Sequence, residues 1–275
     1  MKKIVIFSNP ARDPEYTYTH TVEDVLMHRG FVTCRYDVPF DRNIDPVDFE
    51  GAFAILVLGG DGTILTVSHT ASSYQLPILA VNLGRLGYIA QLERSDLEKI
   101  ADILSSPFAT EERSMLSVTL IRDKMTVLDD ETVLNDAVIG KLNGRGMIEF
   151  ELLANGLLVS NYRGDGMIFA TATGSTAYSM SAGGPVIDPS LRIIEATPLA
   201  AHSLKARPII FSEKHVLEVR ISPSDSIASL TLDGERTLEL RANDSIRISL
   251  SKRTTSLVSH RNDFCRILYQ KMSEM

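Results

Sequence analysis

The chain has 275 residues, a length that suits two domains better than one. With 44% hydrophobic and 23% charged residues it has the composition of a globular protein, which excludes a disordered or low-complexity chain. The net charge is −7 and Lys and Arg form no clustered run, so the chain lacks the basic footprint that non-specific nucleic-acid binding needs.

At the N-terminus two lysines precede the apolar run Ile4-Val5-Ile6-Phe7, but Ser8, Asn9 and Pro10 follow at once. The run is too short for a signal peptide and reads as a buried strand over residues 3–7. No later stretch is long and apolar enough to span a bilayer, so a membrane is not an expected partner. His20 to Arg29 carries Val22, Val25 and Leu26 at helical spacing and stops at Gly30, a C-terminal cap. Residues 31–36 read as a second strand. Cys34 and Cys265 are the two cysteines, far apart and without metal-ligand spacing, and read as reduced thiols of a cytoplasmic protein.

Ala54 to Leu58 is a continuous apolar run of the kind found in a strand covered on both faces. A helix from about Thr63, a strand over residues 77–81 and a helix over 95–104, opened by a Ser95-x-x-Glu98 capping box, complete an α/β layer with a parallel sheet. From about Ser114 the apolar period changes from 3.6 to 2. Leu116, Val118 and Leu120 alternate with polar neighbours, as do Leu217, Val219 and Ile221, and Ile246, Ile248 and Leu250. Asn155-Gly156 is a two-residue hairpin signal, and Asp233-Gly234 repeats it. The expected organisation is an α/β domain over residues 1–108, a β-rich, antiparallel, sandwich-like domain over 109–252, and a terminal segment, 253–275, returning to the first domain.

Gly59-Gly60-Asp61-Gly62-Thr63 lies between the buried third strand and the next helix, at the carboxyl edge of the sheet, where ligands of open α/β sheets bind. Glycines permit positive φ and let backbone amides approach a phosphate, and a helix N-terminus adds favourable partial charge. Asp61 would repel that phosphate unless a cation or a reacting hydroxyl lies between them. A carboxylate so placed can accept the proton of an attacking hydroxyl in phosphoryl transfer. The same five residues also suit a plain tight turn. Neither a Walker loop nor a dinucleotide Gly-x-Gly-x-x-Gly is present. Residues 163–185 form a second stretch, dense in small and hydroxyl residues, with hydroxyls at Thr173, Ser175, Thr176 and Ser179 and one aromatic, Tyr178, able to flank a base. Met167 to Ala170 is too apolar for a free linker.

Taken in order, Gly59-Gly60-Asp61-Gly62-Thr63, Asn82-Leu83-Gly84-Arg85-Leu86-Gly87-Tyr88, Leu134-Asn135-Asp136, Asp165-Gly166, Thr173-Gly174-Ser175-Thr176-Ala177-Tyr178 and Gly183-Gly184-Pro185 resemble the NAD kinase family. The first motif is shared with lipid and sugar kinases of the same superfamily; the Thr-Gly-Ser-Thr-Ala-Tyr stretch is narrower. The resemblance implies an α/β domain and a β-rich domain with the active site between them, in a homodimer or homotetramer. It implies transfer of the γ-phosphoryl group of ATP to the adenosine 2′-hydroxyl of NAD with a divalent metal, usually Mg2+, for which no protein ligands are named. By analogy Asp61 is the proton acceptor, Gly62 joins it at the dinucleotide, and Asn135 and Asp136 hold the adenosine end. Arg163 and Asp165 lie near the dinucleotide; Thr176, Ala177, Tyr178, Ser179 and Ser181 run along it; Glu235 makes a further contact. Two positions depart from the family pattern: Asp136 stands for the common Glu, and Ala172 for a Pro. A lipid or sugar kinase and a catalytically idle NAD(P)-binding module are the alternatives. His69 is expected to serve packing or the surface, and His202 is a weak candidate for the site. Tyr16, Tyr18 and the run Asp129-Asp130-Glu131 read as solvated loop residues.

Overall fold

The computed structural model of the chain describes residues 1–39, 46–84, 87–90, 92–142, 146–224, 226–259 and 264–273. Arg85 and Leu86 of the second glycine loop lie outside the described residues. The chain divides into two compact units, one formed by Met1–Glu112 with Thr255–Met275 and the other by Arg113–Thr254.

The first unit is built on β1 (Lys3–Ser8), α1 (Thr17–His28), β2 (Val32–Asp37), β3 (Ala52–Gly59), α2 (Asp61–Tyr74), β4 (Ile78–Asn82), the two-residue β5 (Leu92–Glu93) and α3 (Leu97–Ser105). β1 pairs in parallel with both β2 and β3, and β4 pairs in parallel with β3. Ile4, Ile6, Leu56 and Leu58 form one face of this sheet and pack with Val22 and Leu26 of α1 and Ile100 and Leu104 of α3. Helix α2 packs on β3 and β4. Residues 255–258 add a further parallel pairing, Leu257 to Ile78, and the helix Phe264–Ser273 ends the described chain.

Helix α1 begins three residues before the sequence pattern places it, because Asp13 caps it from a distance. The buried Asp13 carboxylate accepts the amides of Tyr18 and Thr19 at 2.9 and 2.8 Å and the Thr19 hydroxyl at 2.6 Å. Burial alone would raise its pKa, but these hydrogen bonds and the Arg94 charge outweigh it and hold the carboxyl below the usual range. Tyr18 is therefore a buried helical residue of the core rather than a loop residue. At the other end the chain stops as expected. Gly30, at φ +83°, sends its amide to Met27 and Phe31 sends its amide to Leu26, a Schellman cap. The third helix starts at Leu97 rather than Ser95, since a 3-10 turn over Arg94–Asp96 intervenes and Asp96, not Ser95, bonds back to the amide of Glu93 at 3.0 Å.

The second unit is a sandwich of two antiparallel sheets. Its strands are β6 (Thr110–Arg122), β7 (Met125–Val133), β8 (Asp136–Lys141), β9 (Ile148–Ala154), β10 (Leu157–Gly164), β11 (Gly166–Ala170), β12 (Ile193–Leu199), β13 (Ile209–Ser212), β14 (Leu217–Ile221), β15 (Ala228–Leu232), β16 (Arg236–Leu240) and β17 (Ser245–Val258). The border between the units falls inside β6 and β17. One sheet carries β10, β9, β14 and β17, with β6 and β7 continuing from β17; the other runs β13-β12-β11-β8-β15-β16. Leu116, Val118, Phe150, Leu217, Val219 and Ile246 from the first meet Ile139, Met167, Phe169, Ile194 and Leu230 from the second in one core. The period-2 alternation of the sequence is the inward face of this sandwich.

Asn155-Gly156 is a two-residue hairpin loop with both φ angles positive, and Leu157 pairs with Ala154. Asp233-Gly234 is different: Leu232 pairs with Arg236, so the connection has three residues. Asp129, Asp130 and Glu131 lie in β7, an edge strand rather than a loop. Among the described residues it pairs with β6 alone, and it exposes much of both faces, which permits an acidic run.

Candidate active site

In the first unit the site is built where β3 ends and α2 begins. None of Gly59, Gly60 and Gly62 has a positive φ, so backbone conformation does not demand glycine in this turn, and of the three only Gly59 is required for clearance. A β-carbon on Gly59 would stand 2.3 Å from Thr63 Oγ1, whereas one on Gly62 would meet nothing within 4 Å. The helix starts at Asp61, two residues earlier than expected, with Gly60 as its N-cap. Asn9 donates to Thr63 Oγ1 at 3.2 Å and ties the β1 loop to this turn.

The Asp61 carboxylate is clasped by the loop after β4. Oδ2 accepts the amide of Tyr88 at 2.7 Å, and Oδ1 accepts those of Ile89 and Ala90, each at 3.2 Å. A β-carbon on Gly87 would stand 2.1 Å from Oδ1, so this approach requires glycine at 87. Asp61, Gly60, Gly62, Thr63 and Thr66 share the wall of a cavity of about 1100 Å³ with Asn9, Arg12, Asn82, Gly84, Gly87 and Lys271. The sequence reading missed Arg12 and Lys271, which lie far apart in the chain and in no shared pattern.

In the second unit a pocket of about 430 Å³ is lined by Asn135, Asp136, Val138, Ala177, Tyr178, Thr231, Asp233 and Gly234. Four of the residues drawn from the family resemblance, Asn135, Asp136, Ala177 and Tyr178, thus come together. Asp233, read from sequence only as a turn residue, is the anchor of this wall. Its carboxylate accepts the amides of Leu134, Asn135 and Asp136 at 2.8, 2.7 and 3.1 Å. From the other side Thr171 donates its hydroxyl to the Leu134 carbonyl at 2.6 Å and its amide to the Asn135 carbonyl at 2.9 Å. A β-carbon on Gly174 would lie 2.1 Å from that Asn135 oxygen. The bend at 134–136 is therefore fixed on both sides, and the buried Oδ1 of Asn135 has no hydrogen-bond partner among the described residues. Burial, and then the Asp233 charge, push the Asp136 carboxyl up to about 7. Burial also raises Asp233, against the pull of its three amides.

The remaining predicted residues lie elsewhere. Thr176 donates its hydroxyl to the Thr173 carbonyl at 3.2 Å. Ser179 is buried, with its hydroxyl 2.7 Å from Glu195 Oε1 and 3.0 Å from Thr197 Oγ1, and Gly184 has no room for a β-carbon against this group. Burial raises the pKa of Glu195. Ser181 is exposed at the end of the short helix α4 (Tyr178–Ser181). Arg163 pairs with Glu149 at 3.2 Å and lines a separate cavity of about 200 Å³ with Tyr162, His202 and Lys205. Asp165 pairs with Lys141 at 2.7 Å, and Glu235 is exposed just after the Asp233-Gly234 turn. His69 is half-buried on α2 and takes no part in either pocket.

Comparison with known proteins bears on both pockets. Family models described as the ATP-NAD kinase N-terminal and C-terminal domains match residues 40–107 and 134–260. An NAD kinase of Lachnoclostridium phytofermentans is 36% identical over 270 residues, 94% of each chain, and one of Trichlorobacter lovleyi is 39% identical over 226 residues, 81% of this chain and 79% of its own. Among solved structures, an NAD kinase from Archaeoglobus fulgidus in complex with ATP is similar over the whole of both chains, with a TM-score of 0.79 at 24% identity. The matched segments contain the glycine turn and both walls of the second pocket, and the chain belongs to the NAD kinase family.

Proposed function

We infer that the protein is an NAD kinase that transfers the γ-phosphoryl group of ATP to the adenosine 2′-hydroxyl of NAD, giving NADP and ADP. The observation that carries the chemistry is the clasped carboxylate of Asp61 at the head of α2, in the wall of a cavity of about 1100 Å³. A carboxylate offers about four lone-pair sites. The three amides of residues 88–90 occupy one on Oδ2 and two on Oδ1, which leaves Oδ2 able to accept a hydroxyl. A secondary hydroxyl is a poor nucleophile at neutral pH, and a positioned base contributes about 10²- to 10⁴-fold. Asp61 takes the proton as the hydroxyl oxygen bonds to the γ-phosphorus, and the β–γ bridging oxygen leaves with ADP. The first amides of α2 favour the charge on the transferring group.

Asn135 and Asp136 are proposed to hold the adenosine, with the Tyr178 ring, half exposed on the same pocket wall, against it. Gly62, Arg163, Asp165, Thr176, Ala177, Ser181 and Glu235 are proposed as further dinucleotide contacts, and Ser179 as their support from behind. The family resemblance implies a divalent cation. Among the described residues no three His, Cys, Asp or Glu side chains come together, and both Asp61 oxygens already accept amides. The described residues build no carboxylate cage, and magnesium is proposed to arrive on the phosphates of ATP. No helix among the described residues is long and apolar enough to cross a membrane. The reading has the enzyme working in the cytoplasm as a homodimer or homotetramer, which light scattering would check. NADP formation from NAD and magnesium-ATP, coupled to an NADP-specific dehydrogenase, tests the function; NAD binding without product would favour an idle binding module.

A further inference from the structure

The glycine turn offers backbone amides but no formal positive charge, and the cavity beside Asp61 also carries basic side chains. Among the described residues two basic side chains line it, Arg12 and Lys271, against one acidic side chain, Asp61, whose oxygens are already engaged by amides. Arg12 stands in the loop between β1 and α1, a loop held at both ends: Arg12 and Asp13 send their amides to the Asn9 carbonyl at 2.9 and 3.0 Å. Its guanidinium lies over the loop that follows β4, with Nη1 3.4 Å from where a β-carbon on Gly84 would stand. Lys271 comes from the C-terminal helix Phe264–Ser273, and its Nζ lies 5.4 Å from the centroid of the Tyr88 ring, the residue whose amide holds Asp61.

Neither cation has an ion-pair partner among the described residues. Other bases of the same unit do: Lys3 pairs with Asp48, Arg29 with Asp102, and Lys99 with Asp96. Two positive charges from distant parts of the chain thus line the cavity of the glycine turn, and no described residue pairs with either. Like charges sharing a cavity repel, and a multivalent anion between them removes that cost.

We propose that Arg12 and Lys271 bind the polyphosphate of the donor. The assignment rests on the kinase reading above and gives the donor site its charged residues. It makes affinity for ATP, and not for NAD, depend on the two side chains.

The test uses the full chain, with inorganic tripolyphosphate as the probe, titrated calorimetrically and as an inhibitor competing with ATP. Arg12→Gln and Lys271→Met, the second keeping an apolar stem over Tyr88, should each raise KM for ATP and weaken tripolyphosphate binding about ten-fold. KM for NAD should stay within about two-fold in both, as expected when one substrate's binding alone is touched. Arg12→Lys and Lys271→Arg should retain most of the affinity, which a merely structural role for the aliphatic stems would not require. Unchanged KM for ATP and unchanged tripolyphosphate binding would overturn the proposal, as would a parallel rise in KM for NAD. A wild-type protein that makes no NADP would sink the kinase reading instead, and the tripolyphosphate titration of the variants would still decide the cation assignment.

Discussion

The backbone amide of Tyr88 reaches Asp61 Oδ2 at 2.7 Å, so the proposed base is also the anchor of the loop after β4. Asp61→Asn should therefore show two effects. Turnover, read by the coupled assay, should fall about 10²- to 10⁴-fold. If the amide nitrogen takes the place of Oδ2, the Tyr88 N–H loses its acceptor and denaturant unfolding should report a loss of about 1–3 kcal/mol. NAD affinity, measured calorimetrically, should stay within a few-fold. Turnover close to wild type would remove Asp61 as the base.

Gly59 and Gly62, three residues apart in one motif, should answer substitution in opposite ways. Gly59→Ala would drive a β-carbon into Thr63 and should cost about 1–3 kcal/mol of stability. Gly62→Ala meets open space on a helix and should leave the fold as stable or up to about 1 kcal/mol more so. Its kcat/KM should nonetheless fall about ten-fold or more, because a methyl group then stands where substrate approaches. Thermal melts beside kinetics separate the two, and a fully active Gly62→Ala would show that nothing approaches there.

Asp136 links the second pocket to pH. Its folded carboxyl, raised to about 7 by burial and then by Asp233, holds a proton that the unfolded chain releases near the ordinary value of 3.8. The folded state binds more protons across that window, so this contribution is complete below the ordinary pKa and is lost as pH rises towards 7. Asp136→Asn should flatten the pH dependence of unfolding by up to about 1.4 kcal/mol per pH unit. A slope unchanged from wild type would mean that the carboxyl ionises in place at no cost.

Asp233→Ala should raise KM for NAD about 10- to 100-fold with a smaller change in kcat, since it frees three amides that hold Leu134, Asn135 and Asp136 in line. Equal loss in kcat at unchanged KM would place Asp233 in the chemical step instead.

Where local pattern and tertiary demand agreed, the sequence was enough. β1 and β3 are continuous apolar runs because they lie inside a parallel sheet, and the alternation of Leu217, Val219 and Ile221 marks one face of a sandwich. The start of α1 was hidden because its cap, Asp13, stands four residues before the helix and acts through a fold in the chain. Asp129 to Glu131 looked like a loop because an edge strand faces solvent on both sides and keeps no clear period. Asp61, which lines the first cavity, and Asn135, Asp136 and Tyr178, which line the second, stood out in the sequence because their motifs are local. Asp233 was not, since Asp-Gly already explains itself as a turn and gives no hint that the carboxylate reaches across 97–99 positions. Arg12 and Lys271 carry no pattern at all and become visible only when the two ends of the chain share one cavity.

The second unit interrupts the first in sequence: the chain leaves the α/β unit inside β6 and returns to it inside β17. The parallel pairing of Leu257 with Ile78 therefore joins two segments of the α/β unit that lie on either side of the whole sandwich in sequence. The sandwich, by contrast, is contiguous from Arg113 to Thr254. A chain cut just after the sandwich would carry the glycine turn yet lack Lys271 of the same cavity, so the wall around Asp61 depends on a segment about 200 positions away from it.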